Sequence, residues 1–378
     1  MPSTAIDRRQ GLGWLAAGLA VAVVPGLRPS RAAGARAGPL FVSARGGDRG
    51  RYFVSGFDWQ GSPAFDLALP GRGHAAVLRP GRRHAVVFAR RPGSFALVID
   101  LEAGRVLQRL DASEGRHFYG HGVFSQDGRT LFSTENDYEA GRGVIGIRDA
   151  TEGYRRVGEY PSYEIGPHDI GLLADGKTLV VANGGVLTHP DSGRAKLNIP
   201  EMAPSLAYID VADGALRADY RLPASHHKLS IRHLALGPGD EVGLALQSEA
   251  PPGTLLPLVG RHGGAARIDL LPVPPKTLRR MRGYCGSAAF DRRGEILGVS
   301  CPRGNLVTFW HLGERRFLGE VGVADGCDIA ATAKPGVFLI SGGAGDLCLY
   351  DVIAGRKQTL AAPSFAGARW DNHLTLVL

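Results

Sequence analysis

The segment HGVFSQDGRTLFST (residues 121–134) contains the pattern that decides the fold. Two short strands with alternating apolar residues flank an Asp-Gly turn, which is typical of an antiparallel β-hairpin. Similar hairpins recur at intervals of about 40 to 65 residues, the spacing of propeller blades. The other hairpins begin at His74, His168, His233, Ser287 and Cys327. The repeat therefore predicts an all-β chain built from four-stranded antiparallel sheets.

The two ends of the chain supply the parts of one further blade. NHLTLVL (372–378) is an inner strand without partners, whereas PLFVSAR (39–45), YFVSGFD (52–58) and AFDLALP (64–70) are three strands without an inner one. Pairing these segments would protect both edges and lock the ring. The sequence therefore predicts one seven-bladed β-propeller over residues 38–378, closed by the C-terminal strand.

Composition excludes several other classes of protein. Glycine supplies 54 of 378 residues without a Gly-X-Y period, which excludes collagen, and the 44% of hydrophobic residues argues against disorder. The net charge is +8, but the basic residues are scattered rather than gathered in a stripe. We therefore expect no nucleic-acid partner.

Residues 1–33 have the pattern of a twin-arginine export signal. Arg8 and Arg9 precede an apolar run over 12–24, and small residues follow it, so that cleavage falls after residue 33 or, at the latest, residue 37. The apolar run is too short for a stable membrane anchor, and we expect no integral membrane segment in the mature chain. An ordinary Sec signal or a buried helix are the alternatives. The pattern predicts export to the periplasm.

One position of the repeat is occupied mainly by histidine. It lies six to nine residues before the turn glycine and holds His74, His121, His168, His233, Ser287 and Cys327, with His373 in the unfinished strand. Because inner strands line the tunnel of a propeller, we expect these side chains to face one another at one mouth of the tunnel. The second strands return to the same face and bring Arg90, Glu135, Asn136, Asp137, Asn183 and Glu249, and the loop after Asn183 adds His189 and Asp191.

Imidazoles with nearby carboxylates suit iron, copper or zinc, and histidine is the commonest metal ligand at neutral pH. We therefore predict a transition-metal ion, with iron as the first candidate, or haem at this face. The predicted ligands are His74, His121, His168, His233, His373 and Cys327. The predicted outer residues are Glu135, Asn136, Asp137, Asp169, Asn183, His189 and Asp191. The absence of CxxCH excludes covalently attached haem only. There are two alternatives. The histidines could have a purely structural role, in which their hydrogen bonds hold the blades together, or the site could bind an organic ligand.

Catalytic signatures do not occur in the sequence. It has no Gly-x-Ser-x-Gly elbow, phosphate loop or His-Glu-x-x-His motif, so an enzyme is not indicated. A metal-dependent lactonase or esterase is a second hypothesis, with Glu135, Asp137 and Asn183 as ligands and His121 or His168 as general base.

The four cysteines all follow residue 284. Cys285 and Cys301 lie symmetrically on either side of one predicted hairpin. A cross-strand disulfide, which the periplasm permits, and a reduced buried pair both fit this spacing.

Several long segments are similar to a known family of exported propellers. They are GRHFYGHGVFSQDGRTLFSTENDYEAGRGVIGIRD (115–149), GPHDIGLLADGKTLVVANGGVLTHPDSGRAKLNIPEMAPSL (166–206), SIRHLAL (230–236), CPRGN (301–305) and WDNHL (370–374). On these residues the chain resembles the domain of unknown function 1513 family, within the broad class that includes the quinoprotein amine dehydrogenase β-subunit. The resemblance implies an accessory role in periplasmic iron uptake beside imelysin-type or dihaem peroxidase-like proteins, and it brings no established catalytic residues.

A docking scaffold for such partners is a third hypothesis. The loop Val186–Pro204 is the longest insertion on the ring face and mixes basic with apolar residues. It is the predicted partner contact, and the alternative is that it plugs the tunnel mouth.

Overall fold

The computed structural model describes residues 40–193 and 195–377. The predicted export signal at 1–33 and its cleavage site lie outside the described residues. The described chain folds into seven four-stranded antiparallel sheets. These are the blades of a propeller, as predicted.

The strands of the first half follow one another along the chain. The N-terminal strands are β1 (Leu40–Gly46), β2 (Tyr52–Asp58) and β3 (Pro63–Leu69). Blade one contains β4 (Gly73–Leu78), β5 (His84–Ala89), β6 (Phe95–Asp100) and β7 (Arg105–Asp111). Blade two contains β8 (Arg116–Phe124), β9 (Thr130–Asp137), β10 (Arg142–Asp149) and β11 (Arg155–Pro161). Blade three contains β12 (Pro167–Leu172), β13 (Thr178–Asn183), β14 (Ser205–Asp210) and β15 (Leu216–Arg221).

The second half continues the same order. Blade four contains β16 (Leu229–Leu236), β17 (Val242–Ser248), β18 (Val259–His262) and β19 (Asp269–Leu270). Blade five contains β20 (Ser287–Phe290), β21 (Ile296–Cys301), β22 (Leu306–His311) and β23 (Arg316–Gly322). Blade six contains β24 (Gly326–Ala331), β25 (Val337–Gly342), β26 (Leu347–Asp351) and β27 (Arg356–Thr359). The last strand is β28 (Arg369–Val377).

Helical segments are few and short. The α-helix is α1 (Pro275–Arg280), and the 3-10 turns are Asp48–Gly50, Pro190–Ser192, Ile199–Glu201, Ala224–His226, Pro238–Asp240, Pro302–Gly304 and Pro363–Phe365. Within 40–193 and 195–377, no helix has the length and apolar character needed to cross a membrane.

The first strand of each blade lies at the centre of the ring. These inner strands, β4, β8, β12, β16, β20, β24 and β28, contact one another in circular order. The second strands are buried throughout, as in β13 and β21, whereas the outermost strands β7 and β27 are largely exposed. The core therefore lies between adjacent sheets, and the inner strands are positioned to line the central tunnel.

The closing blade joins the two ends of the described chain. β28 pairs with β1 from Leu40 opposite Val377 to Gly46 opposite Arg369, in the sheet order β28-β1-β2-β3. The rings of Phe57 and Trp370, from opposite ends of the chain, lie 5.1 Å apart in the core of this blade. The predicted closure by the C-terminal strand is confirmed.

The four cysteines are free and buried. The Sγ atoms of Cys285 and Cys301 lie 3.9 Å apart, at the distance of a hydrogen bond between thiols. The structure therefore contains the reduced pair, which was one of the two alternatives, and not the disulfide.

Candidate metal centre

Five histidines from five blades converge in the tunnel. They are His74, His121, His168, His233 and His373. Nine of the ten ring pairs have centroid distances from 4.4 Å (His74–His373) to 6.4 Å (His74–His233). In two overlapping groups of three histidines, each residue offers one ring nitrogen, and these three nitrogens lie within 4.8 Å of one another. The groups are His74 with His121 and His168, and His121 with His233 and His373. His121 belongs to both groups and so occupies the centre of the cluster.

The pairing of each histidine-bearing inner strand with its neighbour contains a β-bulge at or next to the histidine. The register of β12 against β13 shifts between Pro167 and Asp169, at the position of His168. Similar shifts accompany the other four histidines, in β4, β8, β16 and β28. A bulge inserts an extra residue and re-aims its side chain. The local irregularity thus turns each imidazole toward the axis.

Gly120 permits the close approach of two of these strands. It adopts a φ of +109°, and a Cβ atom at this position would lie 2.4 Å from Cδ2 of His74. A larger residue would be strained and would displace the His74 ring. Glycine at the position before His121 is therefore a requirement of the cluster.

Buried carboxylates orient two of the imidazoles. Nδ1 of His74 lies 3.0 Å from Oδ1 of Asp371, and Nδ1 of His121 lies 3.0 Å from Oδ1 of Asp169. Because an ionised carboxylate only accepts hydrogen bonds, each Nδ1 carries the proton and donates it. Nε2 of each ring is then left with a free lone pair, the arrangement found in carboxylate–histidine–metal sites.

Three buried ring nitrogens have no hydrogen-bond partner among the described residues. They are Nε2 of His121, Nε2 of His373 and Nδ1 of His233. Leaving a buried polar atom unsatisfied costs about 1–3 kcal/mol. The three atoms belong to the group of His121, His233 and His373, whose geometry could hold a metal ion.

Burial keeps four of the imidazoles neutral, those of His74, His168, His233 and His373. It lowers the pKa of His74 to about 3, although the hydrogen bond with Asp371 opposes this effect. It also lowers the pKa values of His168, His233 and His373 well below the usual range, and the neighbouring histidine and arginine charges add to the effect. Neutral imidazole is the form that binds a metal, so these rings need not lose a proton at neutral pH.

Asp371 is the most strongly paired carboxylate of the site. Its Oδ1 accepts a hydrogen bond from Nη1 of Arg90 at 2.8 Å, and its Oδ2 from Nε of Arg72 at 2.5 Å. Burial by itself would raise the pKa of Asp371, but the hydrogen bond from His74 and the arginine charges outweigh burial and hold the pKa well below its usual range. Asp371 is therefore ionised, and it was absent from the predicted set.

The predicted ligand Cys327 is not part of either histidine group. Its thiol lies 3.3 Å from the carbonyl oxygen of Asp371 and 3.4 Å from that of Trp370, and so donates to backbone. Burial raises the pKa of Cys327 well above the usual range, which opposes the thiolate that a metal requires. Ser287, the remaining ring residue, lies on β20 and lines the tunnel on the side of His121 and His373.

Two of the predicted outer carboxylates bind arginines instead of histidines. Glu135 is fully buried and accepts two hydrogen bonds from Arg156, at 2.8 and 2.9 Å. Asp137 accepts hydrogen bonds from Arg142 at 2.9 Å and Arg116 at 3.3 Å. Both carboxylates therefore stabilise blade two.

The remaining predicted outer residues differ in how close they lie to the histidine cluster. Asn136 donates to Nε2 of His117 at 3.1 Å, and Asn183 donates to the carbonyl oxygen of Ser162 at 2.7 Å. His189 lines a cavity beside the cluster, and the side chain of Asp191 is exposed. Asp169 is the one predicted outer residue whose side chain contacts a histidine of the cluster in the described chain.

The histidine cluster separates two cavities along the tunnel. His74, His168 and His233 line a cavity of about 510 Å³. His121 and His373 line a cavity of about 860 Å³ on the other side. The histidines therefore form a partition inside the tunnel, whereas the sequence predicted them at its mouth.

The fold and this partition define a class, the seven-bladed β-propellers with a buried histidine cluster on the axis. The chain belongs to the family described as "Protein of unknown function (DUF1513)", whose model matches residues 67–377. A comparison with curated proteins gives no significant match. Among solved structures, the chain is similar to Kuenenia stuttgartiensis Hydrazine Synthase, with 15% sequence identity and a TM-score of 0.61 over 82% of this chain and 92% of that one. At this identity the likeness concerns the fold alone.

Proposed function

We propose that the five-histidine cluster binds a transition-metal ion. The observation that carries the proposal is the group of three buried, unpartnered ring nitrogens on His121, His233 and His373. Donors that are all imidazole nitrogens suit iron, copper or zinc, and they do not suit calcium or magnesium, which prefer oxygen.

The dimensions of the cluster fit an ion. Metal–nitrogen bonds of about 2.0–2.1 Å place ligand atoms about 3 to 4 Å apart, so atoms now within 4.8 Å close around the ion with small ring movements. The carboxylates of Asp169 and Asp371 lie behind His121 and His74 and offset a charge of about two. Because neighbouring rings stand edge to face at 4.4 to 4.9 Å, a planar haem does not fit between them.

The same geometry does not favour the hydrolase hypothesis. Its metal ligands Glu135 and Asp137 bind arginines of blade two, and Asn183 bonds within blade three. We propose instead that the protein carries or senses a metal ion, with iron as the first candidate. Export by the twin-arginine route, a periplasmic location and an accessory role beside an imelysin-type system extend this proposal from the amino-acid pattern and the family resemblance.

Metal analysis tests the proposal. The protein is purified without chelators, analysed for bound metals, then stripped and titrated with Fe²⁺ under anaerobic conditions, Cu²⁺ and Zn²⁺. We expect about one ion per chain and an increase in thermal stability, since binding to the native state alone stabilises it. His121→Gln should weaken binding more than tenfold, and His84→Gln, which changes a histidine at the start of β5, should have no effect.

Two results would contradict this assignment. The first is wild-type protein that neither contains a metal ion nor is stabilised by any of the three. The second is equal metal affinity in the His121→Gln variant and the His84→Gln control.

A further inference from the structure

The cavity of about 510 Å³ above His74, His168 and His233 has a strongly cationic lining. We call it the arginine chamber. The cations that line it are Arg72, Arg90, Arg91, Lys196, Arg232 and Arg303. Asp325 is the one carboxylate among the residues that line it. A concave surface with charges of one sign concentrates ligands of the opposite sign.

Protein carboxylates neutralise only half of these cations. Arg72 and Arg90 bind Asp371, and Lys196 binds Glu249. The three other cations have no carboxylate within ion-pair distance in the described chain, and they are Arg91, Arg232 and Arg303. Three uncompensated positive charges therefore face one enclosed volume.

The surroundings of these three arginines leave hydrogen-bonding capacity free. Arg91 donates to the hydroxyl of Thr188 at 3.1 Å, and the guanidinium of Arg303 lies 4.6 Å from the ring centroid of Tyr284. Nε of Arg232 is buried without any partner. The guanidinium group of Arg232 carries a positive charge at neutral pH, as arginine does in proteins.

Arg232 is held in the tunnel by the backbone of the inner strand β16. The register of β16 shifts between Ile231 and His233, so the same bulge that turns His233 to the axis also holds Arg232. A charge held in a partly enclosed site is costly unless a counter-charge accompanies it. No carboxylate lies within ion-pair distance of Arg232 in the described chain, and Glu249, whose charge acts on it from farther away, is already paired with Lys196. A ligand anion could supply the missing direct partner.

The remaining lining indicates the chemistry of that ligand. Guanidinium groups match carboxylates and phosphates, which they bind through two parallel hydrogen bonds. Carbon surfaces of Pro92, Pro302 and Trp370 form other parts of the wall. Tyr119 also lines the chamber. The volume falls in the range of sites for small organic molecules.

We propose that the arginine chamber binds a small organic molecule that carries two or more carboxylate or phosphate groups. The loop Val186–Pro204 forms one wall through Thr188, His189 and Lys196, and the ion pair of Lys196 with Glu249 fastens it to blade four. This arrangement fits the interpretation of the loop as a cover of the tunnel. Anion binding rests on the arginines alone and does not depend on metal at the histidines.

Calorimetric titration of the chelator-treated full-length protein tests the proposal. The probes are citrate, fructose 1,6-bisphosphate, inorganic phosphate and sorbitol as an uncharged control. We expect citrate or the bisphosphate to bind, with an affinity that falls as ionic strength rises. Inorganic phosphate should bind at least tenfold more weakly, and sorbitol should not bind.

Single arginine substitutions locate the site. Arg91→Gln and Arg232→Gln should each weaken anion binding about tenfold or more, because each removes a charge-assisted hydrogen bond. Arg356→Gln, on the exposed outer strand β27, is the matched control and should bind as the wild type does. His121→Gln should retain anion binding, which separates this proposal from that of the metal centre.

Four outcomes would overturn the assignment. They are a wild-type protein that binds neither organic anion, Arg91→Gln and Arg232→Gln variants that both bind like the control, inorganic phosphate that binds as tightly as the organic anions, and anion binding that requires added metal. Arg91→Gln changes a residue at the cavity wall and keeps the test valid if Arg232→Gln does not fold.

Discussion

Replacement of Asp371 by asparagine removes the one charge on which three cationic or polar partners converge. Its side chain is 4% exposed and contacts His74 at 3.0 Å, Arg90 at 2.8 Å and Arg72 at 2.5 Å. Loss of one partner of a buried ion pair costs about 3–5 kcal/mol. Because the side chains of Arg72 and Arg90 are 45% and 24% exposed, water still solvates part of their charge. We therefore expect the lower end of that range, a loss of about 3 kcal/mol in the free energy of unfolding.

Urea unfolding of chelator-treated protein at neutral pH measures this loss. Asp111→Asn is the matched control, because Asp111 also binds an arginine, Arg109 at 2.8 Å, but both side chains are exposed, at 59% and 48%. Exposed pairs contribute about 0–1 kcal/mol, so the control should remain close to the wild type. A loss below 1 kcal/mol in Asp371→Asn, or equal losses in both variants, would refute the reasoning. In metal titrations, Asp371→Asn should also weaken binding by about 10- to 100-fold, the usual effect of removing a partner behind a ligand.

Three further predictions concern stability and the thiols. Burial lowers the pKa of His117 to about 4, so the unfolded chain binds its proton more readily than the folded one, and stability falls as the pH drops from about 6.5 toward 4. Titration of His117 lowers the free energy of unfolding by about 2 kcal/mol between pH 7 and pH 5. In urea unfolding, the free energy of unfolding of His117→Asn should therefore fall less steeply over this range than that of the wild type. Parallel pH profiles of the two proteins would contradict this prediction. All four cysteines should resist a thiol reagent in the native protein and all four should react after unfolding, whereas the release of only two would show a disulfide. Phe57→Ala should lower the free energy of unfolding by about 3–5 kcal/mol and Phe53→Ala, on the same strand but less buried, by less than half as much; equal losses would exclude a special role of the closing core.

The repeat was sufficient to predict the propeller, because the physics that defines it is local. Each hairpin needs alternating apolar residues and a turn, and both are visible within about 15 residues. Closure followed from the edges left open at the two ends of the chain, which only β28 and β1 could cover. The convergence of the five histidines followed in turn, since they occupy one position of the repeat and the inner strands surround one axis.

The contacts of the histidines could not be predicted in this way, because they join different blades. Asp169 follows His168 in the sequence but binds His121 of blade two, and Asp371 of the closing blade binds His74 of blade one. Which neighbour a carboxylate reaches depends on the bulge that turns it, and a bulge has no local sequence pattern. An acidic residue within two positions of a ring histidine, as in His168–Asp169 and Asp371–His373, is the signal that could have indicated these partners.

Glu135 and Asp137, which were predicted to lie behind the histidines, show that contacts of the second strands are equally hard to predict from the sequence. Glu135 and Asp137 do lie at the end of β9, the second strand of blade two, as the hairpin geometry required. Side chains of successive residues point to opposite faces of a strand, however, and both carboxylates turn toward arginines of their own blade. Spacing along the chain places a residue at one end of a sheet, but the packing of the adjacent blade decides what it contacts.

The strand that closes the ring also carries Asp371 and His373, and this determines the order in which the centre is assembled. During synthesis the first six blades emerge with four of the five histidines, while the fifth ligand and the carboxylate behind His74 are still to be translated. An ion held by the full set of imidazoles can enter only after β28 has paired with β1. Under the proposed function, an ion at the group of His121, His233 and His373 would therefore be loaded only after the ring has closed, and a partner that delivers it would have to recognise the closed propeller.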